Sequence, residues 1–379
     1  MTNILFVTDT EPIPTKGGVA RVVYNLSRDF KNDFEFRIFT ASFDNHNELF
    51  RLSRTCYIES LKTIIFFYEI KMIVFNIDGS GEILNNIEQL KQFVKIVIFH
   101  HSYIHSFKQS LCEYYLLQLK EISLKKIFKF LIAPIYSFIF ALFIQPQTYL
   151  NALKKCDYYL VLSEALKKDL INRLHLFGID KNKIFAIPNG HSFNESKPAL
   201  IKKEKILIYV GRIDYKSKNI FEILKIWKKI KNTNYYLYFV GGGEDFQRLQ
   251  EDIEKLKLKN IVLCGNTSDV ANYYKKASLL ILTSKEGFGL VINECREYGV
   301  IPIIYNNFST AKDLIDNGLN GFLIKPYKRT LFIRKLKELM TLEEEKTKII
   351  RKACFFKAKN YSSDIINEKW RSFFKETII

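Results

Sequence analysis

Short apolar runs rich in Ile, Val, Leu, Phe and Tyr recur along the chain, each separated from the next by a stretch of helical period. This alternation constrains the fold more than any other feature. A strand that returns through a helix to a second strand builds a parallel sheet, and such strands are buried on both faces and read as continuous apolar runs. The first set lies at 4–7, 34–39, 72–76, 95–100 and 158–162. A second set restarts at 205–210 and continues at 235–240, 261–263, 279–282, 301–304 and 322–324, with helical patterns over 220–230 and 244–256 and helices alone beyond 331. At 379 residues the chain has room for two domains, since one domain takes roughly 100–200 residues. The expected class is therefore α/β, in two halves of like architecture. The boundary is expected at Ile187-Pro-Asn-Gly190, where a turn dipeptide follows a strand. This gives domains 1–187 and 188–360.

Composition removes several classes. The chain carries 58 Lys plus Arg against 40 Asp plus Glu, net +18, but is 47% hydrophobic, too apolar for intrinsic disorder. The lysines are spread over the whole length with no recognition motif, so nucleic acid is not an expected partner. Six scattered cysteines, without a C-x-x-C pair, read as reduced thiols. No basic stretch precedes an apolar one at the N-terminus, so a cytoplasmic setting is expected. One segment breaks the rhythm: 130–144 is almost continuously apolar behind Lys120, Lys125, Lys126 and Lys129. It is short for a membrane span, which takes about 20 residues. It reads either as a membrane-surface helix on an anionic leaflet or as a buried helix.

Three clusters carry chemistry. In Leu282-Thr-Ser-Lys-Glu286-Gly-Phe-Gly-Leu290-Val-Ile-Asn-Glu294 a strand ends, a glycine-bearing loop follows and a helix begins near Gly289. The free N–H groups of such a helix start suit a phosphate, and Glu286 and Glu294 flank that point with acceptors for sugar hydroxyls. Gly211-Arg212-Ile-Asp-Tyr-Lys216-Ser-Lys218 follows a strand of the second half and brings cations to the crevice where open α/β sheets bind ligands. Lys16-Gly17-Gly18 follows the first strand and leads into a helix, allowing close approach of backbone to a ligand.

Taken together, the E-x7-E spacing of Glu286 and Glu294, the Gly211-Arg212 to Lys218 pattern, the Ile187-Pro-Asn-Gly190 junction and the Lys16-Gly17-Gly18 loop resemble glycosyltransferase family 4. Gly241-Gly-Gly-Glu244, Asp269 with Tyr273-Tyr274, and Asn320-Gly-Phe-Leu323 extend the resemblance, which is specific over 205–325 and limited in the first half to the Gly-Gly loop and His100-His101. The resemblance implies a GT-B fold, two Rossmann-like domains facing each other across a cleft, with the helix at 361–379 crossing back to the first. It implies a retaining transferase that moves a sugar from a nucleotide diphosphate sugar to a growing cell-surface glycan such as lipopolysaccharide, capsule or a lipid-linked oligosaccharide. Family frequency favours UDP.

By position, the resemblance gives Arg212 and Lys218 the donor diphosphate, Glu286 the hydroxyls of the transferred sugar and Glu294 the ribose diol. Backbone from Gly287 through Phe288 and Gly289 to Leu290 completes that site. Gly17 and Gly18 fall on the phosphate side, and His101 or His100 near the transferred sugar. The Arg-to-Lys interval is one residue longer than usual, so Lys216 competes with Lys218, which fits better directly before Asn219. No metal is expected: His101 and His105 lack a third ligand, and the chain contains no D-x-D. No cofactor beyond the donor is expected. A GT-B sugar-nucleotide 2-epimerase and a basic nucleic-acid-binding protein are the rival readings. A Rossmann dehydrogenase lacks the third glycine of its fingerprint. Peripheral placement on the cytoplasmic face of the inner membrane would suit the basic surface and the 120–144 segment.

Overall fold

The structure, a computed structural model, describes residues 1–14, 17–43, 50–77, 84–102, 135, 138–139, 145–191, 202–231 and 233–378. The chain divides into two units, Met1–Pro188 with Asn367–Ile379, and Asn189–Ile366. The division falls one residue beyond the boundary expected from the turn dipeptide.

The first unit is a parallel sheet of β1 (Thr2–Thr8), β2 (Phe36–Ser42), β3 (Ile70–Ile77), β4 (Lys95–His100), β5 (Tyr158–Val161) and β6 (Ile184–Ala186), in the order β2-β1-β3-β4-β5-β6. Ile4, Leu5, Ile73, Val74, Val97 and Ile98 are fully buried, as strands covered on both faces require. One expected boundary shifts. The Asp33 carboxylate accepts from the N–H groups of Glu35 and Phe36, both at 2.9 Å, and this local turn delays β2 by two residues and leaves Phe34 exposed.

The closing helix, Ser363–Ile378, completes this core from Asn367 onward, while its first turn belongs to the second unit. Buried Trp370 lies edge-on to Phe6 and Phe99, each at 5.4 Å, and Arg371 pairs with Asp33 at 2.8 Å. The apolar segment 130–144 lies outside the described residues except for Ile135, Phe138 and Ile139, which are exposed. The lysines ahead of it lie outside the described residues, as do Lys16 and His105.

The second unit repeats the plan with β7 (Ile206–Val210), β8 (Tyr236–Val240), β9 (Ile261–Gly265), β10 (Leu279–Leu282), β11 (Ile301–Tyr305) and β12 (Phe322–Ile324), ordered β12-β11-β10-β7-β8-β9. Counted from β7, this is the doubly wound order 3-2-1-4-5-6 read from the far edge. The direction of winding reverses between β7 and β10, and a crevice opens beyond the carboxyl ends of those two strands. In the first sheet the reversal lies between β1 and β3.

Candidate active site

The loops after β7 and β10 meet at the reversal point of the second sheet, and they hold the two clusters that the sequence singled out. β7 runs into Gly211, at φ 148°, and Arg212. The next residues are shaped by Asp214, whose carboxylate accepts from the N–H groups of Lys216 and Ser217 and from the Ser217 hydroxyl at 2.6 Å. These bonds, the Ser217 hydroxyl first, hold the Asp214 carboxyl below its usual range. Arg212 pairs with Asp214 at 3.0 Å and keeps a largely exposed guanidinium above the sheet edge.

The short helix Tyr215–Lys218 ends at Asn219, which sits in the left-handed region at φ 51°. That conformation returns the chain to β10: the Asn219 amide donates to the Thr283 carbonyl at 3.3 Å, and the Thr283 hydroxyl donates to the Asn219 carbonyl at 3.2 Å. This reciprocal clamp places the Lys218 ammonium 2.8 Å from both carboxylate oxygens of Glu286. Ser284 donates to the same carboxylate at 2.6 Å. Lys216 is exposed, and of the two lysines it is Lys218 that pairs with Glu286 at the reversal point.

Beyond Glu286 the loop turns through Gly289, at φ 90°, into the helix Leu290–Glu297. A Cβ at Gly289 would stand 3.0 Å from the Ile292 side chain, so both conformation and space call for glycine. No side chain caps this helix and its first turn holds no acid, so the positive end of its dipole is uncompensated by its own residues. Thr310, fully buried, donates from its hydroxyl toward the carbonyls of Gly287 and Phe288 at 3.2 and 3.1 Å and fixes the loop from below. Glu294, half-buried on the helix, accepts from the Tyr274 hydroxyl at 3.2 Å, and the Tyr274 ring stacks on Tyr298.

The glycine run at the end of β8 closes the site on its other side. Gly211 donates its N–H to the Val240 carbonyl, and Ile213 to the Gly242 carbonyl. A Cβ at Gly241 would stand 2.1 Å from the Gly211 carbonyl oxygen, and one at Gly243 would stand 2.3 Å from that of Ile213. The run therefore works as backbone packed on backbone under Arg212. Asn219, Thr283 and Thr310 were not among the expected site residues. The αL position before a helix and the hydroxyls beside the glycine loop gave only weak local signals.

In the first unit, Gly17 caps the helix Gly18–Asp29 at φ 114°, and no atom of the described residues lies within 4 Å of where a Cβ would stand. His100 ends β4 buried, its ring stacked on Tyr159 at 6.1 Å. His101, also buried, lies 4.1 Å from the Phe99 ring centre and bonds through Nε2 to the Asn76 Oδ1 at 3.0 Å. The Asn76 amide nitrogen donates to the Val7 carbonyl at 3.2 Å, so its oxygen must accept and His101 Nε2 carries the proton. Burial, reinforced by His100, lowers the His101 pKa to about 3 and keeps the ring neutral. Among the described residues no group of three metal-ligating side chains occurs.

Residues 192–354 match the profile of the family described as Glycosyl transferases group 1. Over 182 residues the chain is 25% identical to an amylovoran biosynthesis glycosyltransferase of Erwinia amylovora, covering 48% of this chain and 51% of that one. It is 27% identical over 178 residues to a lipopolysaccharide 1,6-galactosyltransferase of Salmonella typhimurium, covering 45% and 48%. The chain thus spans about half the length of these relatives. Among solved structures it superposes on the lipopolysaccharide outer core galactosyltransferase WaaB with a TM-score of 0.69 at 16% identity, over 99% of this chain and 100% of that one. It superposes on Anabaena HepE, solved with UDP and glucose, with a TM-score of 0.70 at 14% identity, over the same shares. These likenesses establish the fold as GT-B.

Proposed function

We propose that this chain is a retaining glycosyltransferase that takes a sugar from a nucleotide diphosphate sugar, with UDP as the nucleotide, and adds it to a growing cell-surface glycan. The observation that carries the reading is the pairing of Lys218 with Glu286 at the reversal point, beside an uncapped helix start and below Arg212. Positive charge placed beforehand around a departing diphosphate stabilises the transition state as the anomeric carbon gains oxocarbenium character. Lys218 and Arg212 supply that charge, and the backbone from Gly287 to Leu290 supplies N–H groups. Glu286, oriented by Lys218 and Ser284, accepts from hydroxyls of the transferred sugar, and Glu294 accepts from the ribose diol. Gly17 and Gly18 serve the phosphate side. His101, held neutral by burial and oriented by Asn76, offers Nδ1 to a sugar hydroxyl.

The relatives support the glycan assignment, being transferases of amylovoran, lipopolysaccharide and capsular polysaccharide synthesis. One relative from Campylobacter jejuni acts on an undecaprenyl-diphosphate-linked glycan, and a lipid-linked acceptor with membrane contact through 120–144 belongs to the same proposal. The charge set of Arg212 and Lys218 does the work of a divalent cation, so turnover is expected to survive EDTA. The reading is tested by calorimetric titration of UDP, GDP and ADP into the wild type and Glu294→Ala with EDTA present. Micromolar binding of one nucleotide, at least tenfold weaker in the variant, is expected. Equal binding by both proteins would remove Glu294 from the site.

A further inference from the structure

The amino-terminal edge of the first sheet carries a surface that the reaction does not use. Phe34 is 95% exposed, Phe66 89%, Phe67 76% and Phe93 54%, and Leu176 and Phe177 add 79% and 41%. Far apart in sequence, they share one edge because each precedes a strand of the same parallel sheet. The Thr2 N–H donates to the Glu35 carbonyl and the Asn3 amide donates to the Tyr68 carbonyl, both at 2.7 Å, so the turns of Phe34 and of Phe66-Phe67 lie beside the start of β1. Phe93 lies two residues ahead of Lys95, which pairs with Met72 near the start of β3. Leu176 and Phe177 stand on the return to β6.

The polar groups on this edge are unequal. Lys31, Lys71, Lys95 and Lys181 are exposed there. The acids are mostly engaged: Asp33 with Arg371, Glu35 with Lys375 at 2.7 Å, Asp157 with the Ile96 N–H at 2.8 Å and Asp180 with the Asn182 N–H at 3.0 Å. Glu69 is an exposed acid set against the lysines. Exposed phenylalanines on the same edge as exposed lysines fit one kind of surface in particular. Aromatic rings enter the interfacial layer of a bilayer, and lysines meet anionic headgroups at about 1 kcal/mol each.

We propose that this edge docks on an anionic lipid bilayer, independently of the reaction assigned above. The carboxyl edge of the same sheet, with Gly17 and His101, then faces away from the lipid by the length of β1, roughly 23 Å for seven residues. An acceptor reached at that height is the outer end of a lipid-linked glycan rather than its first sugar. The chain leaves the sheet for 103–144 at the carboxyl edge, after β4, so the contact through 120–144 is the competing one, and mutation separates the two.

The test is flotation of the full chain with vesicles of phosphatidylethanolamine and phosphatidylglycerol, and with phosphatidylcholine alone. Binding to the anionic vesicles only is expected. Phe66→Ser/Phe67→Ser is expected to weaken it at least tenfold and Lys71→Glu/Lys95→Glu several-fold, with thermal unfolding and nucleotide binding unchanged because all four side chains are exposed. No binding by the wild type would overturn the proposal. So would full binding by both variants, above all if deletion of 120–144 then abolished it, or equal binding to neutral vesicles. Failure here would leave the nucleotide titration untouched.

Discussion

The two sheets are built alike and yet present different edges. At the carboxyl edge of the second sheet, backbone packs on backbone: the glycines after β8 lie against Gly211 and Ile213, and Asn219 and Thr283 clamp the neighbouring loops. At the carboxyl edge of the first, no described atom lies within 4 Å of where a Gly17 Cβ would stand, and His101 is buried against Phe99. A diphosphate, the ligand of the proposed reaction, would present the same charge and spacing in every donor, so a rigid cradle would suit it and cost no reorganisation when the ligand arrives. Among the described residues the first edge shows no such packing of glycine backbone on backbone.

Gly241→Ala is the hardest blow to this contrast. Its Cβ would fall 2.1 Å from a backbone oxygen at a residue whose φ is 133°, so strain and collision act together. The expected loss is about 3–5 kcal/mol for the second unit, with nucleotide binding abolished. Gly17→Ala meets the same conformational penalty with no described atom within 4 Å and should cost only about 1–2 kcal/mol. Differential scanning calorimetry of the pair checks it, and equal losses would erase the difference between the edges.

Lys218→Met should come next. On the proposed reading it removes one cation from the diphosphate, and among the described residues it leaves the half-buried Glu286 carboxylate with Ser284 alone to orient it. A fall in kcat/KM on the order of 10²–10³ is expected, by analogy with loss of a single preorganised transition-state donor. Glu286→Gln keeps the shape and one acceptor, and should lower kcat more than it raises KM. If Lys218→Met changed neither kinetics nor nucleotide affinity, the Lys218–Glu286 pair would be a structural contact.

The second edge was readable in the sequence because its glycines and charges stand at fixed offsets from strand ends. Glu286, Gly289 and Glu294 could be placed on loop and helix before any coordinates, and β10 and β12 lie over the residues expected. What escaped was whatever depended on distant partners. Asn219 and Thr283 are 64 positions apart and reveal their link only when β7 and β10 become neighbours. Asn76 carries no motif, yet it sets the tautomer of His101 across adjacent strands. The Phe34 turn was read as strand because its apolar neighbours outweighed a single Asp33.

His101 gives a smaller effect, confined to the first unit. Its folded pKa of about 3 lies below the unfolded value of 6.5, so below pH 6.5 the unfolded chain takes up a proton that the folded chain refuses. Stability should therefore fall as the pH drops from about 6.5 toward 3, by about 2 kcal/mol at pH 5 relative to pH 7. His101→Gln should flatten that part of the profile. Denaturant melts from pH 7 to pH 5 decide the matter, and an unchanged slope in the variant would show that His101 is not the titrating group.

The smallest effect is expected of Lys216→Ala, and it sharpens the comparison most finely. Lys216 and Lys218 lie two residues apart on one short helical turn, and the sequence favoured Lys218 but left Lys216 as its competitor for the proposed diphosphate. The turn sends only Lys218 toward Glu286, while the Lys216 side chain stays exposed. An exposed charge at that distance acts through solvent and is screened within about 8 Å at physiological salt. Removing it should change nucleotide affinity by less than about twofold, and less still as salt is raised. A tenfold loss in Lys216→Ala that persisted in high salt would mean that the loop turns over when the donor binds. The cradle of the second unit would then be adaptable rather than rigid.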